Sequence, residues 1–157
     1  MTPSNDSGAA GYWSVLEPYW DRIDIYNGPE EFLATFAAAP TVVQTLFAAH
    51  FCESEVSNGG LHQFFMNPTG VLAPEAAAAF RTIGLPETGA ILDRAMAYFG
   101  TPYPRRQDDR VDRLNARSGN TRAEWDPFVD LDSDFYDSLG PEHQPFYEAL
   151  DRIASSA

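Results

Sequence analysis

Three side chains near the middle of the chain could hold a divalent metal. His50 and Glu53 are three residues apart on one helical face, and His62 returns after a glycine turn. The competing reading is a core histidine beside a carboxylate, because His50 lies in a stripe with Leu46, Phe47 and Phe51. A second group is electrostatic. Glu124, Asp126, Asp130, Asp132, Asp134 and Asp137 occur within fourteen residues that contain no basic side chain. They alternate with Trp125, Phe128, Leu131, Phe135 and Tyr136, which can anchor the segment and fix its charges in space. Such a run is either a solvated face, or an internal partner for nearby arginines, or a surface for a basic protein. Asp130-Leu-Asp132-Ser-Asp134 opens like a calcium loop. Position six is Phe135 and position twelve is Pro141, so it cannot close as one.

A third group is polar and uncharged. Asn58-Gly59-Gly60 precedes Gln63, Phe64, Phe65 and Asn67. Consecutive backbone N–H groups at a glycine turn can bind an anion, but no Gly-Lys-Ser/Thr follows and no strand precedes. The local requirements are those of a helix stop at Asn58 and Gly59, with Gly59 or Gly60 expected in a left-handed backbone conformation. Gln63 and Asn67 can satisfy orphan helix-end groups or reach a ligand. The single cysteine, Cys52, lacks a basic or redox neighbour in sequence and reads as a small buried hydrophobe. No nucleophile motif is present.

The elements that position these groups are helical. Tyr12, Trp13, Leu16, Trp20 and Ile23 recur at three and four spacing, with Pro18 kinking or dividing the run. Pro29 opens a short helix with Glu30 and Glu31 at its positive end. A helix over 41–57 is the clearest core element, and a short helical piece ends at Asn67-Pro68. Further helices start at Pro74 and Pro86 and close at Gly84 and Gly100. Residues 101–123 read as a long loop with at most one helical turn, since only Val111 and Leu114 are large and apolar. A last helix carries Phe146, Leu150 and Ile153. There is no alternating strand pattern and no repeat. The expected fold is all-α, a single compact irregular helical bundle over 11–157, with residues 1–10 a disordered lead-in.

Composition bounds the partners. Hydrophobic residues make up 44% and aromatics 13% of 157 residues, enough for a self-sufficient core. The net charge is −13, and all ten basic residues are arginine. That charge repels nucleic acid and anionic membrane and favours basic partners. It is ordered along the chain: −8 over 1–80, +3 over 81–122 and −8 over 123–157. No span is long enough to cross a bilayer. The N-terminus lacks the basic and apolar regions of a signal peptide, and one cysteine cannot form an internal disulfide. A reducing cytoplasm is the expected setting.

The pattern E-x-x-N-G-G-x-x-Q-F-F-x-N, carried here by Glu55, Asn58, Gly59, Gly60, Gln63, Phe64, Phe65 and Asn67, resembles the signature of DUF4375, a bacterial family of DMP19-like proteins. The stretch from Tyr12-Trp13 to Ile23, the Phe80–Gly84 helix and the Asp132–Tyr136 segment are similar in the same order. The resemblance implies a compact helical fold, and with His50 read as a core residue no cofactor or metal is expected. It also implies DNA mimicry, in which surface carboxylates imitate phosphates and occupy the basic face of a transcription regulator or histone-like protein. Two other functions stay open: an immunity or antitoxin-like protein that neutralises a basic toxin, and a small metal-dependent enzyme around His50, Glu53 and His62. A homodimer is also left open.

Overall fold

The computed structural model describes residues 11–156, so the expectation for residues 1–10 lies outside the described residues. The described residues are helical, with no strand among them. The first amphipathic run divides at Pro18, as the ring requires: α1 spans Tyr12–Leu16 and a 3-10 turn follows over Glu17–Tyr19. Gly28 turns the chain at φ 97°, and Pro29 then starts α2, Pro29–Ala38.

The organising element is α3, Thr41–Met66. Every residue from Leu46 to Glu53 is buried, so this stretch is covered on all sides. It touches α1, α4 (Ala73–Thr82), α6 (Gln107–Asn115), α8 (Val129–Ser138) and α9 (Gln144–Ser155). Helix α5, Pro86–Ala97, packs on α4 and α8. A short α7, Arg122–Trp125, precedes α8. Buried residues from Tyr12 to Leu150 form one core cluster.

Aromatic contacts seat the elements that carry charge. Phe135 of α8 meets Phe80 of α4 edge to face at 5.8 Å, and Phe128 lies 5.1 Å from Phe65 of α3. The Tyr136 hydroxyl donates to the Val56 carbonyl at 2.7 Å. These contacts fix α8 against the kinked end of α3.

Two expectations need correction. Residues 101–123 are not one long loop, because α6 occupies Gln107–Asn115. Its inward residues are Arg110 and Leu114, so one of its two anchors is charged and invisible to an apolar-stripe reading. Nor does a helix stop at Asn58-Gly59. Both are helical, and the chain breaks direction one residue later, at Gly60, with φ 82° and ψ 176°.

Replacing Phe47, which is fully buried, by alanine is expected to cost about 3–5 kcal/mol. Urea denaturation followed by circular dichroism measures it. A cost under about 1 kcal/mol would show that the aromatic core is not centred on α3.

Candidate functional site

The glycine pair and the acidic run meet at the kink. A chain leaving Gly60 restarts a helix, and the first N–H groups of a helix have no partner within it. Here α8 supplies one: Asp132 Oδ1 accepts from the Leu61 N–H at 2.8 Å. Its other oxygen accepts from Arg122 Nη2 at 3.0 Å. Arg122 Nε donates to Asp126 Oδ2 at 3.1 Å, and Asp126 Oδ1 accepts from the Phe128 N–H at 2.8 Å. One arginine therefore joins two carboxylates that hold the start of α8 and the restart of α3. Gly60 permits this twice over. Its backbone conformation is one that only glycine adopts readily. A Cβ there would also lie 2.9 Å from Asp132 Oδ2 and 3.2 Å from Arg122 Nη2.

The other motif residues surround the same kink. Asn67 donates to Glu55 Oε2 at 3.1 Å, tying the two sides of the bend. Gln63 folds back over Gly59, where a Cβ would sit 2.0 Å from its Oε1. Phe64 and Phe65 are fully buried. Asn58 is exposed and, with Ser57, Gly59, Gly60, Arg122, Ser133 and Tyr136, lines an open groove of about 430 Å³. The motif thus builds the bend.

The acidic run divides into two sets. Asp126 and Asp132 are buried, at 2% and 8% exposure, which corrects the expectation that all six carboxylates form a surface. Burial is the largest influence on Asp132 and raises its pKa above the ordinary carboxylate range. The Leu61 N–H bond and the Arg122 charge offset only part of that rise. Glu124, Asp130, Asp134 and Asp137 are exposed. Glu124 accepts from the Asn120 N–H and the Thr121 hydroxyl. Asp130, Asp134 and Asp137 recur at i, i+4 and i+7 on α8 and share one face, rising about 6 Å and then about 4.5 Å along the axis. None makes an ion pair among the described residues.

The arginine-rich stretch does not cover that face. Arg105 binds Glu75 of α4 through both Nη atoms, at 2.5 and 2.9 Å. Arg110 is buried on backbone carbonyls. Arg113 reaches the Tyr98 carbonyl, and Arg117 reaches those of Glu124 and Ala123. Arg106 stands 3.9 Å from Asp109. Among the described residues only Arg122 forms an ion pair with the run, and it takes the two buried members.

The histidines and Glu53 go elsewhere. His50 Nδ1 shares a 2.9 Å hydrogen bond with the Tyr12 hydroxyl. Burial raises the Tyr12 pKa, with the Tyr147, Glu53 and Asp151 charges adding to the rise. Glu53 is buried and accepts from Ser57, from His143 Nδ1 at 2.9 Å and from the Tyr147 hydroxyl at 3.2 Å. Burial and Glu53 push the Tyr147 pKa up to about 12. His62 sits against Trp125, ring centres 5.0 Å apart, and burial lowers its pKa. Among the described residues no three of His, Cys, Asp or Glu gather as metal ligands would. The link from Glu53 to His143 is one that sequence spacing missed, since ninety residues separate the two. Cys52 is buried, and burial pushes its thiol pKa well up.

A family model described as DMP19-like protein matches residues 37–154, and the chain belongs to that family. No curated protein and no solved structure matches it. No helix among the described residues is long and apolar enough to cross a membrane.

Two outcomes test the kink. Gly60→Ala is expected to destabilise by about 1–3 kcal/mol. Gly59→Ala is expected to cost less, because Gly59 is helical and the flexible Gln63 side chain can swing away. Denaturant titration of both variants decides it, and equal costs would contradict the assignment of strain to Gly60. The second outcome concerns pH. A carboxylate whose folded-state pKa is raised contributes stability that is full below the ordinary carboxylate range and is lost as pH climbs through the raised value. The stability margin of the wild type over Asp132→Asn is therefore expected to shrink from acid to neutral pH. A margin that grows would mean that pairing with Arg122 outweighs burial.

Proposed function

We propose that this chain is a non-enzymatic, cytoplasmic, acidic binding protein. In this reading it acts as a DNA mimic that occupies the basic DNA-binding face of a regulator or histone-like protein. The observation that carries the reading is the α8 face of Asp130, Asp134 and Asp137. Three carboxylates stand on one helix that is seated in the core by Phe128 and Phe135 and clamped through Asp132, and the nearby arginines are engaged elsewhere. Fixed charges forgo part of the ordering cost of binding. They can compete for cationic side chains that otherwise neutralise phosphates. Membership of the DMP19-like family supports the same class of function.

An immunity or antitoxin-like role rests on the same electrostatics and differs only in the partner. The enzyme reading has less support, since His50, Glu53 and His62 each take different partners.

Asp130→Asn, Asp134→Asn and Asp137→Asn combined are expected to weaken binding to a basic DNA-binding protein at least about tenfold while leaving helicity unchanged. Wild-type binding is expected to fall steeply with salt and to be competed by duplex DNA. Isothermal titration at low and high salt measures both. Unchanged affinity of the triple variant would move the binding face off α8. Tight binding of a basic toxin that DNA cannot compete would favour the immunity-like role.

A further inference from the structure

The chain enters α9 through a turn that its residue types do not favour. From Pro141 to Gln144 the backbone closes with the Gln144 N–H on the Pro141 carbonyl. Its two central residues are Glu142, at φ 53° and ψ 21°, and His143, at φ 57° and ψ 18°. Both are left-handed, the pattern of a type I′ turn, which glycine, asparagine and aspartate ordinarily occupy. They are the two non-glycine residues with positive φ among the described residues. A residue with a Cβ is strained there and stays only where its surroundings hold it. A longer helix cannot relieve the strain. Pro145 is tolerated near the start of α9, but extending α9 back to Pro141 would need the N–H that Pro145 lacks.

The hold comes from His143. It occupies the N-cap position of α9 yet makes no side-chain cap. Its ring turns inward instead. Nδ1 shares a 2.9 Å hydrogen bond with Glu53 Oε1, and the ring lies within 9° of parallel to Tyr136, 6.2 Å between centres. Glu53 is buried in α3 and is also bound by Ser57 and Tyr147, so it is a fixed seat. Glu142 is exposed, and the conformation of both residues rests chiefly on the His143 contacts.

We propose that the Pro141–Gln144 turn is a strained latch, held shut by His143 on Glu53 and Tyr136, that opens locally while the helical core stays folded. Opening lets Glu142 and His143 relax out of the left-handed region and lifts the imidazole from Tyr136. The turn follows α8 directly, with the Gly140 N–H on the Asp137 carbonyl at 3.1 Å. Tyr136 in turn fixes α8 to the kink through the Val56 carbonyl. The latch therefore governs how firmly the Asp137 end of α8 is held.

Native-state hydrogen exchange of the full chain, followed by NMR in low denaturant, tests this at the Gly140, His143 and Gln144 amides, which are hydrogen-bonded in or beside the turn. The three are expected to exchange together through an opening that denaturant does not promote, with protection at least about tenfold below that of Leu150. Glu142→Gly removes strain at an exposed position and is expected to raise their protection about tenfold. His143→Gln is expected to lower it by a similar factor. In an unstrained turn Glu142→Gly has the opposite sign, because glycine then only adds freedom to the open state. Lower or unchanged protection in Glu142→Gly, or exchange of the three amides only with global unfolding, would overturn the proposal. If His143→Gln fails to fold, the wild type and Glu142→Gly carry the decision.

Discussion

The contact on which the rest of the structure depends is the one between Asp132 and the backbone at Leu61. Gly60 turns α3 into a conformation that orphans a helix-start N–H, and a carboxylate from α8 satisfies it at 2.8 Å. This hydrogen bond therefore ties the bend to the register of α8, beside the ring contacts of Phe128 and Phe135 and the Tyr136 hydroxyl. Once Asp132 points at the kink, 3.6-residue periodicity puts Phe135 and Leu139 toward the core. It leaves Asp130, Asp134 and Asp137 facing out. A one-residue slip would bury an outward carboxylate and expose Phe135.

Burial and pairing act against each other at this point. Asp132 is held by a half-exposed arginine and a buried N–H, yet its removal from water is the larger effect and raises its pKa. The same logic separates buried from exposed carboxylates. Asp126 and Asp132 spend their lone pairs on Arg122 and on backbone N–H groups and are buried, whereas Asp130, Asp134 and Asp137 stay on the surface.

Much of the fold was legible because it rests on local rules. The Leu46, Phe47 and Phe51 stripe located the central helix, prolines marked the starts of α2, α4 and α5, and the glycine pair placed the bend to within a residue. The residues of the kink were legible as a motif through family resemblance, though not what they clasp. What failed to show was polar burial. Arg110 fills a core position in α6, so a search for apolar stripes read that helix as loop. Asp126 and Asp132 looked like surface charge because their partners, Arg122 and the Leu61 N–H, are identified only by folding. Glu53 meets His143 across ninety residues, and no spacing rule reaches that far.

The central claim is that α8 presents carboxylates, oriented by the kink, to a basic protein. Hydrogen–deuterium exchange of the chain alone and with a histone-like DNA-binding protein bound tests this most directly. The account predicts new protection over Val129–Ser138 and the adjoining Arg122–Trp125 turn, with Gln107–Asn115 unchanged. Protection confined to α6 or α2, with α8 exchanging as in the free protein, would contradict it.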